Sequence, residues 1–540
     1  MPTVGLHGAP APDPAHAPAP DPAQAPATDP AHAPATDLLD NSALALSAAL
    51  HSRKISCVEL MQACLARIDA LNPAFNAIVS LRPHDELLAE ASAHDALLAQ
   101  GQSKGWLHGI PQAIKDLASV QGLRSTRGSP LFATHIPGED ALVVHRMRQA
   151  GAILIGKTNT PEFGLGSHTF NPVFGATRNA WDPQRSAGGS SGGAAVALAL
   201  RMLAVADGSD MGGSLRNPAA WNHVFGLRPS QGRVPKLPSA DPFFLQLGTE
   251  GPMGRDVADI ARLLATQAGY HPQAPLSLGE DARDLAMPLP AGDLACVALR
   301  GKKIGWLADL GGHLGMEDGV LDVCGQALAH FSAMGAVVEP AQIAFDPEAL
   351  WQAWLCLRQC AVAMELLPHA RDPAQRALLK AEACWEVDQA LQHAAIDLMR
   401  ASAVRAAFFK AWLEAFDRWD FLALPSAQVF PFAVDASWPR TVGARRMDTY
   451  HRWMEVAIYA TLGGSPAISL PAGFGTPARP SPTDPEQDAS AQQSHGLPMG
   501  LQLIAAPRQD RALLEAAHAY AYARGAWIHR KPLSLQALTA

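Results

Sequence analysis

The sequence predicts an α/β protein with helices on both faces of a sheet, and three observations carry that prediction. Short apolar runs of strand length, among them KKIGWL, FLALP and GLQLIA, alternate along the chain with longer segments of helical pattern. Several helical segments carry their own start and stop signals, such as a serine cap or a closing glycine. The 540 residues are 48% hydrophobic and 17% charged, which is enough apolar material for a large buried core.

Residues 1–37 stand apart from this pattern. APAPDPAHAPAPDPAQAPATDPAHAPATD repeats a Pro-Ala-Asp unit with almost no large apolar side chain. Such a segment buries too little surface to offset its ordering entropy, so a disordered or polyproline-like tail is expected. The folded domain is expected over residues 38–540. Ser56-Cys57-Val58-Glu59 is an S-x-x-E capping box, and the helix it opens runs to Asn72-Pro73. HDELLAEASAHDALLAQG (84–101) reads as a second helix, and HGIPQAIKDL as a strand ending near Lys115. DALVVHRMRQAG (140–151) is a helix closed by glycine, followed by the strand AILI (152–155). AAVALALRMLA (194–204) is a helix of small residues suited to burial all round. A strand at 302–307, a helix around 319–334 and a strand at 336–338 repeat the rhythm. Strands at 421–425, 467–471 and 500–505 and a helix at 511–523 complete it, with residues 475–495 expected to form a long mobile loop.

Composition narrows the function. The net charge is −8, from 42 basic and 50 acidic residues, and no basic stripe or RNA-reading aromatic motif appears, so nucleic acid is not an expected partner. Seven cysteines, an odd number with no CxxC pair, disfavour structural zinc and a disulfide framework and point to a reducing compartment. No apolar run reaches the roughly 18 residues that span a bilayer, and the first residues lack the basic start and apolar stretch of a secretory signal. A soluble cytoplasmic protein is expected.

Two motifs mislead. Gly151-Ala152-Ile153-Leu154-Ile155-Gly156-Lys157-Thr158 matches the GxxxxGK[ST] phosphate-loop pattern. A phosphate loop follows a strand and has small turn-forming residues in its middle, whereas Ile153-Leu154-Ile155 is itself the strand. Gly188-Gly189-Ser190-Ser191-Gly192 matches the G-x-S-x-G nucleophile elbow. An elbow needs an apolar strand feeding into it, and RNAWDPQR precedes this one. It also needs a downstream acid and histidine, and no local pattern singles out His223, His271, His313 or His451.

A further glycine-serine island runs Gly208-Ser209-Asp210-Met211-Gly212-Gly213-Ser214-Leu215-Arg216-Asn217-Pro218. Small residues before Ser214 let backbone N–H groups turn toward one point, as an oxyanion hole requires. With LHGIPQAIKD, GKTNTPEFG, GGSSGG and DMGGSLR in this order, the chain resembles the amidase-signature family of serine hydrolases. The resemblance spans roughly residues 40–530, includes SPAISLPAGF and GLPMGLQLI near the end, and has 24 residues between the two serines.

The resemblance implies a single large α/β/α sandwich with a mixed central sheet flanked by helices. It makes Ser214 the acyl-accepting nucleophile, Ser190 the bridging serine on a cis peptide after Gly189, and Lys115 the terminal base. A lysine with its ordinary pKa near 10.4 is protonated at pH 7, but burial disfavours the ammonium and lowers that value. The neutral amine then draws a proton from Ser190, which draws one from Ser214, and the reversed relay protonates the departing nitrogen. The backbone N–H groups of Met211, Gly212, Gly213 and Ser214 are the expected oxyanion donors. Ser191, Asp210 and Arg216 fall on positions of the supporting hydrogen-bond network, with a surface salt bridge the competing reading for Arg216. Asn159, Pro161 and Glu162 look structural, and Lys157 is the alternative lysine.

Two departures from the family pattern stand out. Asn179-Ala180 replaces the usual Asn-Pro, and Trp221-Asn222-His223 replaces small residues after the nucleophile loop, where bulk is expected to reshape the acyl pocket. His223 reads as a packing residue. The expected activity is hydrolysis of a small or medium linear carboxylic amide to acid plus ammonia or amine, with esters or carbamates as further substrates of the same acyl transfer. No metal or cofactor is implied. Specificity is expected from 345–410, rich in Trp351, Trp354 and Met364, with Phe243 and Phe244 contributing. The rival within the family is the glutaminase subunit of a tRNA-dependent amidotransferase. The rival outside it is a non-catalytic scaffold that recruits partners through its tail. By analogy with similar enzymes a homodimer is expected.

Overall fold

Thirteen strands fall into three sheets in the computed structural model, which describes residues 37–244, 246–290, 292–476 and 496–539. The strands β1 (Ile78–Val79), β2 (Pro111–Lys115) and β3 (Ile153–Thr158) form a small sheet in the order β1-β3-β2, with β2 and β3 parallel and β1 antiparallel to β3. The main sheet has eight strands: β4 (Val205–Asp210), β5 (Phe225–Arg228), β6 (Thr249–Gly254), β7 (Lys303–Trp306), β8 (Val337–Pro340), β9 (Phe421–Pro425), β12 (Ala467–Gly475) and β13 (Leu497–Ala505). Their spatial order is β4-β6-β5-β12-β13-β9-β7-β8. A two-stranded ribbon, β10 (Thr441–Val442) and β11 (Arg445–Arg446), stands outside it. The main sheet is mixed: its β8-β7-β9 end is parallel and the remaining pairs are antiparallel.

The layering is legible in single strands. Along β9, Phe421 and Ala423 pack into one cluster with the helices Val320–Ala333 and Asp510–Arg524. Leu422 and Leu424 pack into another with the helices Pro347–Arg371 and Ala395–Phe416. Successive strand residues point to opposite faces, so a helical layer covers each side, which is the α/β/α sandwich expected. A strand buried on both faces reads as a continuous apolar run, and FLALP does so for that reason, while GLQLIA is broken by Gln502, whose Oε1 accepts from Arg216 Nη1 at 2.8 Å.

Helix boundaries follow local chemistry. Ser56 Oγ accepts from Glu59 N at 3.0 Å while Glu59 Oε2 accepts from Ser56 N at 2.7 Å, so the capping box forms as read. This helix continues past the expected stop at Asn72-Pro73 to Phe75, and Asn76 ends it in the left-handed region at φ 52°. The small-residue helix is shorter than expected, Gly192–Ala199, and every residue in it is buried. A side chain at Gly193 would strike Asn159 N at 2.4 Å and the Ala77 carbonyl at 2.5 Å, so this helix sits closer to its neighbours than any Cβ permits.

The expected tail of residues 1–37 and loop of residues 475–495 lie almost entirely outside the described residues. Among the described residues no helix is long and apolar enough to cross a membrane. All seven cysteines are free thiols.

Candidate active site

Three chain segments converge beside the end of the small sheet. Lys115 is the last residue of β2 and is fully buried. Ser190 and Ser191 lie immediately before the helix Gly192–Ala199. Ser214 lies in the turn between β4 and the helix Arg216–Asn222. The end of β2 is tied to β4, in the other sheet, by Asp207, whose Oδ1 accepts from Lys115 N at 3.1 Å.

The Lys115 amine sits in a cradle of oxygens. Its Nζ is 2.8 Å from Ser190 Oγ, 2.8 Å from Ser191 Oγ, 3.0 Å from Ser209 Oγ and 3.2 Å from the Ser209 carbonyl. Burial drives this amine down to about 7, against upward pulls from Asp207 and Asp210. At neutral pH much of it is therefore uncharged, with a lone pair able to accept from a hydroxyl while two N–H groups donate. Lys157 is equally buried and pushed down to about 8, but its Nζ donates to the Ala118 carbonyl and lies 3.8 Å from Asp116, with no hydrogen bond to any of the serines.

The segment carrying Ser190 is held by side chains on both sides. The Gly189–Ser190 peptide is cis. Asn217 Oδ1 accepts from Gly189 N at 3.2 Å, and Thr169 Oγ1 accepts from Gly192 N at 3.2 Å. Ser186 Oγ accepts from Gly188 N at 3.1 Å and lies 2.7 Å from His168 Nδ1. His168 Nε2 donates to the Val434 carbonyl at 2.9 Å, so Nδ1 is the acceptor for Ser186. Burial holds that imidazole neutral, its pKa down to about 4.

The Ser214 turn is organised by one carboxylate. Asp210 accepts from Gly213 N at 2.9 Å, Leu215 N at 3.1 Å, Arg216 Nε at 3.0 Å and Arg216 Nη2 at 2.9 Å. Burial alone would raise the Asp210 carboxyl, but Arg216 and Arg228 hold it well below the ordinary range. Arg216 is 0% exposed, so the surface salt bridge is excluded and the residue belongs to the loop's internal bracing. Gly213 has φ +96°, and a side chain there would meet Ala457 Cβ at 2.8 Å.

One expectation is corrected here. Gly213 N–H is donated to Asp210, so it is not a free oxyanion donor. The N–H groups of Met211, Gly212 and Ser214 find no acceptor among the described residues and remain for that role. The Ser214 hydroxyl, on a residue 8% exposed, makes no hydrogen bond among the described residues, whereas its carbonyl accepts from Ser191 N at 3.2 Å. The two serine segments are thus tied through backbone, and the Ser214 Oγ is left to turn.

The 345–410 stretch forms the neighbouring wall. It folds as the helices Pro347–Arg371, Ala381–Ala390 and the first part of Ala395–Phe416. Trp354 lies 3.4 Å from where a side chain on Gly212 would begin, and it stacks on Trp351 with ring centroids 4.9 Å apart. Arg358 Nη1 donates to Met211 Sδ at 3.2 Å, Nε to Glu386 at 2.7 Å and Nη2 to the Tyr450 hydroxyl at 2.9 Å. Met364, Phe243 and Phe244 are instead exposed, at 48%, 67% and 56%.

The departures from the family pattern resolve as packing. The Trp221 indole is buried against Phe432 and Trp453, and its Nε1 donates to the Val429 carbonyl at 3.1 Å. Its bulk is taken up by the core beneath Gly188 and not by the wall beside Gly212. His223 packs among Trp181, Phe474 and Trp527, and burial pushes it down to about 3. Asn159 and Glu162 are fully buried, Asn159 bonded to Thr177 and Asn171 and Glu162 to Ser129 and the Lys380 backbone.

Ser209, Asp207 and Glu250 escape a reading from sequence. Asp207 and Ser209 reach Lys115 only once β4 packs beside β2, and Glu250 only once β6 pairs with β4, and neither VADGSD nor TEGPMG carries a strand pattern.

Comparison with known proteins places the chain in a family. The Amidase family model matches residues 59–514. An acylamidase of Rhodococcus erythropolis is 34% identical over 497 residues, covering 91% of this chain and 97% of the relative. A glutamyl-tRNA(Gln) amidotransferase subunit of Moorella thermoacetica is 32% identical, covering 91% and 97%. Among solved structures, a bacterial aryl acylamidase of the amidase-signature enzymes superposes with a TM-score of 0.79 at 26% identity, covering 91% of this chain and 97% of that one. A 6-aminohexanoate cyclic dimer hydrolase complexed with substrate superposes with a TM-score of 0.74, also at 26% identity, covering 92% and 99%. On the extent of these matches, the chain belongs to the amidase-signature family.

Proposed function

We propose that the chain is an amidase that hydrolyses a linear carboxylic amide to acid plus ammonia or amine through an acyl-enzyme on Ser214. The observation that carries the reading is the buried Lys115 amine, 2.8 Å from Ser190 Oγ and poised near neutrality. Lys115 takes the Ser190 proton as Ser190 takes that of Ser214. Ser214 Oγ attacks the amide carbon, and the oxyanion is received by the N–H groups of Gly212 and Ser214, with Met211 beside them. Each such donor is worth on the order of 3 kcal/mol of barrier. The relay then runs backward, the nitrogen leaves protonated, and water enters by the same route to release the acid. Esters and carbamates share the acyl-transfer step and fall within reach of the same site.

An aromatic or apolar acyl or amine group suits the wall formed by Trp354 and Trp351. Relatives described as acylamidase and aryl acylamidase support that choice. A second reading, the glutaminase subunit of a tRNA-dependent amidotransferase, draws on the 32% identical relative from Moorella thermoacetica. Against it, the guanidinium beside Met211 is already paired with Glu386 and is not free to receive a substrate carboxylate. A reducing compartment such as the cytoplasm suits seven unpaired thiols.

A panel of anilides, alkyl amides, acetamide, glutamine and esters, run with wild type and Ser214→Ala, tests the proposal. Purified chain alone is expected to cleave anilides without tRNA or ATP, and Ser214→Ala to lose both turnover and labelling by a fluorophosphonate. Retained labelling in Ser214→Ala, or ammonia release from glutamine only with partner chains present, would count against it.

A further inference from the structure

We propose that Glu250 is a positioning residue of the relay, its buried carboxylate acting through space, beside Asp207 and Asp210, as a counter-charge that helps to set when the Lys115 amine is charged. The proposal rests on Lys115 being the base. In the antiparallel pair of β4 and β6, Glu250 stands directly opposite Ser209. Opposed residues of such a pair point to the same face with Cβ atoms about 5 Å apart. That face is the one on which Ser209 Oγ meets Lys115 Nζ at 3.0 Å. Glu250 is 7% exposed, and its Oε2 is buried without a hydrogen-bond partner among the described residues. A buried carboxyl with an unmatched oxygen needs either a proton or an opposite charge nearby.

The neighbours leave Glu250 as the carboxylate without another duty. Lys115 is faced by Asp207, Asp210, Lys236 and Glu250, and Glu250 by Lys236, Asp207 and Lys115. Asp210 is held by Arg216 and Arg228. Asp207 accepts the Lys115 backbone N–H and also faces Lys157. Lys236 is exposed and screened by solvent. Burial raises the Glu250 carboxyl to about 7, the value to which it lowers the Lys115 amine. Ionised Glu250 favours the ammonium, and the ammonium favours ionised Glu250, so the two titrate as a pair.

The test is the pH profile of kcat/KM on a neutral anilide for wild type, Glu250→Gln, Glu250→Asp and Lys115→Ala, with thermal melts alongside. Removing the charge lowers the Lys115 pKa, so the acid limb of Glu250→Gln is expected to move to lower pH. Glu250→Asp, which keeps the charge, is expected to stay near the wild-type limb. If Glu250→Gln fails to fold, Glu250→Met takes its place, since the unmatched oxygen makes no bond that Met would lose. A folded neutral variant with an unmoved acid limb overturns the proposal while Lys115→Ala remains inactive. Loss of fold in both neutral variants assigns Glu250 a structural role and overturns it too. Full amide turnover in Lys115→Ala would instead remove the base reading on which the proposal stands.

Discussion

A charged Lys115 would have to keep its proton inside a cradle of three hydroxyls and one carbonyl with bulk water excluded. Hydroxyls stabilise an ammonium less well than a carboxylate in contact would, and the acids that act on it, Asp207, Asp210 and Glu250, make no hydrogen bond to Nζ. The amine therefore reaches half-neutrality near pH 7, and amide turnover is expected to rise with pH through that region. The same amine returns the proton to the leaving nitrogen, a step that amides need and activated esters do not. Lys115→Ala is expected to lower kcat/KM on an anilide at least about tenfold more than on a p-nitrophenyl ester, general acid–base terms being worth about 10²–10⁴. Parallel rate measurements on the two substrates check this, and equal losses would remove the donor role from lysine. Lys115, Ser190 and Ser214 were named through the family resemblance of the motifs around them, and the fold brings the Lys115 amine to Ser190. Ser209 and Glu250 were not, because Ser209 is placed by the packing of β4 beside β2 and Glu250 by the register of β6 on β4.

Of the strands around Lys115, β2 was read from its sequence, whereas β4 and β6 are hidden by theirs. The strand β4 contains Gly208 and two aspartates, and β6 contains Gly251, Pro252 and Gly254, residues depleted in strands. They pair because backbone groups buried at the sheet end must be satisfied, and their small residues leave room for the Leu215 and Ser191 side chains. By contrast FLALP, with no glycine or charge, announced β9 from end to end. The helix Pro347–Arg371 opens on Asp346, whose Oδ1 accepts from Glu348 N and Ala349 N at 3.0 and 3.1 Å. Between β4 and the helix Arg216–Asn222, the turn keeps its shape through Asp210. Asp210→Asn removes the charge facing Arg216 and Arg228 and replaces one acceptor oxygen by a donor. The donors at Gly212 and Ser214 are then misaimed, and kcat is expected to fall about 10²-fold or more. Unlike Lys115→Ala, this loss is expected to be equal for anilide and activated ester, because both pass through the same oxyanion. A split between the two substrates would show that Asp210 acts on proton transfer instead of on the turn.

Acid response belongs to the molecule as a whole, because buried carboxylates paired with guanidinium groups join layers that are far apart in sequence. Glu386 accepts from Arg358 on a neighbouring helix at 2.7 Å and from the Tyr450 hydroxyl at 2.5 Å, so one carboxylate links three segments around the wall of the site. Burial alone would raise this carboxyl, yet Arg358 and then His451 pull it down to about 2 from an ordinary 4.5. A folded-state pKa below the unfolded one adds stability that is complete above pH 4.5 and disappears as pH falls from 4.5 through 2. Urea midpoints are therefore expected to fall steeply between those values. Glu386→Gln leaves Arg358 buried without its counter-charge, and breaking such a pair from one side costs about 3–5 kcal/mol. The variant is expected to be less stable than wild type at pH 7, and the difference is expected to narrow as the wild-type carboxylate protonates. Urea unfolding of both proteins at pH 7, 5, 4 and 3 measures this directly. Parallel curves with a constant gap would mean that Glu386 contributes by packing alone and that its charge does not hold the segments of the wall together.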